Sequence, residues 1–287
     1  MVGRPEALTV LAALSAVTER LGLAATVNAT FNEPYELARR LATLDHLSQG
    51  RAAWNVVTTS DAFTGENFRR GGYLDRSERY TRAEEFVRLS RALWDSWRPD
   101  ALLADQESGR FLRPDGLTTV RHQGRHFTVE GRFNVPHSPQ GHPVIIQAGD
   151  SEEGREFAAA TADVIFSRHG TLEEGRAFYA DVKRRLPKYR RQPHQLKIMP
   201  AATFALGDTD AEAAEHAAEI RRLQVGPQTA IAFLEQIWGR DMSAHDPDGP
   251  LPDVEPEGAR DVSQGVSRSP TGSGWPRDGG PWPGRRI

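Results

Sequence analysis

HPVIIQAGDSEEGREFAAATADVIFS, residues His142–Ser167, holds the reading on which the fold turns. The apolar run VIIQ has the length of a buried strand and ends at Ala148 and Gly149, ahead of an acidic, alanine-rich stretch of helical composition. A second apolar run, VIFS, follows directly. Strand, tight loop, helix and strand in that order are the layout of a parallel sheet with crossover helices. Within GDSEEG, Gly149 permits a tight turn and close backbone approach, and Asp150 or Ser151 can cap the helix that follows. The N–H groups of that helix's first turn then face the loop, where an anion, a phosphate above all, is the natural guest. An ordinary capped helix after a buried strand has the same signature, so this motif alone leaves both readings open.

Working outward, the same alternation recurs. RAAWNVVTTSDAFTGENFRRGGYLDRSERY, Arg51 to Tyr80, again runs from apolar residues into small polar ones before a helix. Upstream, Ala7–Gly22 places Leu8, Leu11, Leu14, Val17 and Leu21 at helical spacing, LAATVNATF reads as a strand, and Asn32–Gly50 resumes a helix with Pro34 in its first turn. Ser77–Trp97 has the longest helical pattern, expected to pack Phe86, Leu89, Leu93 and Trp97 inward. From Arg98 to Pro143 the alternation is interrupted by a Gly-, Pro- and His-rich insertion, in which VRHQGRHFTVEGRF reads as a hairpin. His122 and His126 flank Gly124 there, but a non-helical segment without a third ligand argues against a metal site. Downstream, DVIFSRH and QLKIMPAATFAL read as strands, LEEGRAFYADVKRRL and AEAAEHAAEIRRLQ as helices.

Composition bounds the class. The chain has 287 residues, 38% of them hydrophobic and 26% charged, and a net charge of -3 gives no global basic field for nucleic acid. There is no Cys, hence no disulfide, thiolate nucleophile or Cys-bound metal. No apolar run approaches the roughly 20 residues of a membrane span, so the expectation is a cytoplasmic globular protein with no membrane or nucleic-acid partner. Parallel strands with short connections fit either an open doubly wound sheet or a (β/α)8 barrel. No GxGxxG fingerprint follows any strand, which favours the barrel. Thr26, Asn55, Val57, Thr58, Ser151 and His169 would then gather at the C-terminal mouth of the strands.

At these residues the chain resembles a known family. TERLGLAATVNATFNEPYELARRLATLDHLSQGRAAWNVVT, SERYTRAEEFVRLSRALWDSW and HPVIIQAGDSEEGREFAAATADVIFS look like the bacterial-luciferase-like flavin monooxygenases, in the branch of nitrilotriacetate monooxygenase component A, dibenzothiophene sulfone monooxygenase and long-chain alkane monooxygenase. The resemblance runs from about Ala7 to about Pro256. It implies a TIM-type barrel binding reduced FMN that a separate flavin reductase supplies, O2-dependent oxygenation of a small organic substrate, and assembly as a homo-oligomer. Carried over by position, Thr26, Asn55 and Val57 would face the isoalloxazine. Tyr80 would approach the phosphate, and Gly149, Asp150 and Ser151 would hold it, with Asp150 in a backbone or capping role. Four residues before Tyr80 the family commonly has His, whereas this chain has Arg76, which can pair with phosphate but is no neutral imidazole.

Two departures qualify that expectation. The strands with which the family begins have no counterpart before Ala7, and the residues beyond about Val266 turn to Gly, Pro, Ser and Arg without apolar periodicity. The reading is therefore a partial barrel over residues 1–261, lacking its first and last strands, with an insertion at about 98–143 and a disordered or frameshifted tail at 262–287. Alternatives to a monooxygenase are a flavin-binding pseudoenzyme and a non-functional product of a disrupted gene. The F420-dependent dehydrogenases of the wider superfamily fit less well, because WNVVT and the long insertion are marks of the branch named above.

Overall fold

Along the parallel strands one row of side chains is buried and the alternate row is more exposed, as the period of a strand dictates. In this computed structural model the described residues are 5–59, 76–224, 226–238, 240–247 and 249–250. The expected tail at 262–287 lies outside them. The chain forms two compact units, Met1–Pro200 and Ala201–Ile287.

The first unit holds α1 (Ala7–Val17), β1 (Leu23–Asn28), α2 (Pro34–Leu47), β2 (Ala52–Val57), α3 (Arg76–Trp94), β3 (Leu102–Asp105), β4 (Arg110–Leu112), β5 (Val120–Gln123), β6 (Thr128–Gly131), β7 (Val144–Gln147), α4 (Glu152–Thr161), β8 (Val164–Ser167), α5 (Leu172–Arg185) and β9 (Lys197–Pro200). Strands β1, β2, β7, β8 and β9 form one parallel sheet in that order, so each strand neighbours the next main strand of the chain. This is the α/β, TIM-type succession expected, incomplete as a barrel: among the described residues the sheet does not close. Hairpins β3–β4 and β5–β6 make up the insertion before β7.

Register assigns the two faces. Leu23, Ala25, Ala52, Trp54, Val56, Ile145 and Ile165 point to the helices and are buried. Trp54 packs against Phe86 of α3 at 5.3 Å between ring centroids, and its indole N–H donates to Val27 O at 2.9 Å. A ring of that size in a closed core is worth about 3–5 kcal/mol against alanine. As expected, Phe86, Leu89, Leu93 and Trp97 are buried, although α3 stops at Trp94 and Trp97 is held by its N–H to Phe133 O at 2.6 Å. The opposite face carries Thr26, Asn55, Ile146, Val164 and Lys197 in one row and Phe166 and Met199 in the next, with Phe166 46% and Met199 58% exposed.

Two other boundaries differ more widely from the expectation. The first helix ends at Val17, not Gly22, because Arg51 takes the carbonyls that a longer helix would have used: its guanidinium donates to Ser15 O, Thr18 O and Leu21 O. The last strand ends at Pro200, and Phe204 and Leu206 beyond it are exposed. The second unit contains α6 (Asp210–Gln224) and α7 (Pro227–Trp238), the latter not anticipated. No helix among the described residues is long and apolar enough to cross a membrane.

Candidate functional site

Two clusters form at the C-terminal ends of the parallel strands. The first lies on the face opposite the buried row, where register sets Thr26 beside Asn55 and the Asn55 side-chain amide donates to Thr26 Oγ1 at 3.1 Å. Asn55 Oδ1 is buried without a hydrogen-bond partner among the described residues. A buried carbonyl oxygen in that state favours a ligand that brings an N–H or O–H. Val57, half-buried, follows two residues on at the strand end and so lies on the same face.

The second cluster sits where β7 passes into α4. Ser151, not Asp150, is the N-cap: its hydroxyl accepts from Gly154 N–H at 3.1 Å. Tyr80 is buried and reaches in from α3, its hydroxyl 3.4 Å from Ser151 Oγ and its ring packed on Phe157. Gly149 and Gly154 make the notch that admits it, since a Cβ at Gly149 would come within 3.1 Å of the Tyr80 hydroxyl and one at Gly154 within 2.9 Å. The notch is set by Gln147, which the sequence reading missed: its Oε1 accepts from Gly149 N–H at 2.8 Å and so holds the turn. A polar side chain ending an apolar strand just before Ala-Gly was the available signal.

Asp150 is exposed and paired with Arg155 at 2.9 Å, so its charge is answered outside the notch. His169, two residues past β8, stacks near Phe178 with ring centroids 4.8 Å apart, and its Nε2 is buried without a partner among the described residues. Arg76 opens α3, one turn before Tyr80; its side chain lies outside the described residues. The structure thus draws Tyr80, Gly149 and Ser151 together and joins Thr26 to Asn55. His122 is bound instead to Glu85 on α3, at 2.9 Å.

The luciferase-like monooxygenase family model matches residues 1–265. The chain belongs to that family. Among its relatives is nitrilotriacetate monooxygenase component A of Aminobacter aminovorans, 44% identical over 253 residues, a match covering 88% of this chain and 56% of the relative. N-acetyl-S-(2-succino)cysteine monooxygenase of Bacillus subtilis (strain 168) is 42% identical over 260 residues, covering 90% and 59%. Among solved structures, riboflavin lyase with modified FMN and its substrate riboflavin superposes with a TM-score of 0.79 at 34% identity, over 87% of this chain and 56% of that one. This family member therefore spans a little over half the length of the relatives it matches.

Proposed function

We propose that the chain binds FMN at the mouth of the β1, β2 and β7 strands and belongs to a two-component monooxygenase acting on a small organic substrate, with reduced flavin supplied by a separate flavin reductase. The notch of Tyr80, Gly149, Ser151 and Gly154 at the start of α4 is the observation that carries this reading. It combines a helix N-terminus with two hydroxyl groups 3.4 Å apart, the kind of donors a phosphate monoester takes. Arg76, four residues before Tyr80, is the cation expected to pair with the phosphate, while Asp150, held by Arg155, contributes backbone only. Thr26, Asn55 and Val57 would line the isoalloxazine, with Asn55 Oδ1, which has no partner among the described residues, as acceptor. Bound reduced flavin supplies the reaction with O2; the chain's own residues grip the phosphate and orient the ring.

The test is a pair of titrations. Tyr80→Phe removes a hydroxyl without touching the helix cap, and we expect it to weaken FMN by about 1–2 kcal/mol while leaving riboflavin nearly unchanged. Ser151→Ala should show the same preference together with a stability loss of about 1 kcal/mol from the lost cap. Equal losses for the two ligands would move the phosphate away from this notch. A flavin-binding module without oxygenation is the second reading, favoured by the exposure of Phe166 and Met199 on the face that carries Asn55. Oxygenation assays with a flavin reductase separate the two.

A further inference from the structure

One buried carboxylate in the first unit is spent on the β5–β6 hairpin. Glu85 of α3 accepts three hydrogen bonds from the β5–β6 hairpin: from His122 Nε2 at 2.9 Å, Phe127 N–H at 3.0 Å and His126 N–H at 3.0 Å. Gly124 makes the approach possible, because a Cβ there would overlap the carboxylate. The same helix face makes further ties to the hairpin, Glu78 to Arg125 and Thr81 Oγ1 to His126 Nε2 at 3.0 Å. These contacts flank Tyr80.

From the hairpin the contacts lead back to the mouth. Phe127 stands edge-on to Phe86 with centroids 5.4 Å apart and lies under the Arg82 guanidinium, 4.1 Å from its ring centre. Arg82 is buried, and it donates to Ala29 O, Thr30 O and Asn32 O at 3.1 Å each. Those carbonyls belong to the loop after β1, the loop that Asn28 also ties by accepting from Phe31 N–H at 2.8 Å. A buried charge is costly unless hydrogen-bonded or paired, and the three carbonyls together with Glu33, whose carboxylate lies 3.9 Å away, tie Arg82 to this loop.

We propose that Glu85 is a positioning residue for the mouth of the sheet: by clamping the β5–β6 hairpin on α3 it fixes the first turns of that helix, with Tyr80, and, through Phe127 and Arg82, the loop after β1. The effect on ligand affinity rests on the flavin reading above; the effect on the loop does not. Glu85→Gln keeps the volume and one acceptor oxygen but removes the charge. In the ligand-free protein, amide hydrogen exchange should quicken at residues 122–127 and, with them, at residues 29–33, which Glu85 does not touch. FMN affinity should fall about fivefold while riboflavin affinity changes by less than about twofold, because a merely destabilised fold would weaken both alike. Phe127→Leu, which keeps the hairpin's backbone bonds to Glu85, should quicken residues 29–33 as well and serves in place of Glu85→Gln if that variant fails to fold. Faster exchange confined to the hairpin, with residues 29–33 and the FMN-to-riboflavin ratio at their original values, would overturn the proposal. Absence of FMN binding in the unaltered protein would overturn the flavin reading instead, and the exchange at residues 29–33 would still decide whether Glu85 acts at the mouth.

Discussion

At the scale of single residues, the glycines of the notch separate binding from stability. An alanine at Gly154 improves helix propensity by up to about 1 kcal/mol, yet its Cβ would lie 2.9 Å from the Tyr80 hydroxyl and 3.1 Å from the Gly149 carbonyl carbon. Gly154→Ala is therefore expected to leave urea stability within about 1 kcal/mol of the original while FMN titration shows the larger loss. Charge at α4 gives a second prediction. Hydrogen bonds from Lys188 and Tyr189 hold the Glu156 carboxyl down at about 2, against 4.5 for a free glutamate. A carboxyl depressed on folding stabilises above its unfolded pKa, and that stabilisation is lost as pH falls through the folded value. Stability should thus drop between pH 4.5 and 2, and Glu156→Gln should flatten that part of a pH-resolved urea series.

At the scale of elements, arginines finish what helix periodicity leaves undone. Leu8, Leu11 and Leu14 pack on or into the core, whereas Val17 is 78% exposed, so the apolar repeat of Ala7–Gly22 runs past the end of the helix itself. The stop is made by Arg51, 30 to 36 positions further on, which covers the carbonyls of Ser15, Thr18 and Leu21 and also donates to Ser48 O at 2.7 Å. Arg51→Met keeps the aliphatic stem and leaves those acceptors without the guanidinium. A loss of about 2 kcal/mol in urea unfolding is expected, and an unchanged midpoint would mean that water replaces the guanidinium without cost. The carboxyl of Glu85 is the counterpart on α3: burial pushes its pKa up, but His122 and the N–H groups of His126 and Phe127 outweigh that and hold it below the usual range.

At the scale of the whole molecule, the described residues give the sheet one buried face and one that carries exposed apolar side chains. Among the described residues β1 and β9 each have a single hydrogen-bonded neighbour, and Phe166 and Met199 stand out on the face away from the helices. Open edges beside exposed apolar side chains are a template for association. Met199→Lys should lower self-association in sedimentation velocity without lowering urea stability, since the side chain has little packing to lose. If the dispersity of the sample is insensitive to that charge, association does not use this face.

The alternation of apolar runs with amphipathic stretches was enough to place the five parallel strands and the helices between them, because period and length are local properties that each segment carries within itself. The same holds for GDSEEG, whose glycine and capping hydroxyl announce a strand-to-helix turn wherever they occur. Convergence is another matter. That Tyr80 lies against Ser151, 71 positions later, depends on α3 and α4 packing side by side, and no local pattern encodes that distance. The end of α1 was misread for the same reason, since Arg51 caps it from a different part of the chain. The hairpin's two strands were legible from their own alternation, but its attachment to Glu85 and Arg82 was not. A buried carboxylate or guanidinium has no period, and what it does is decided by the groups that folding brings within about 3 Å of it.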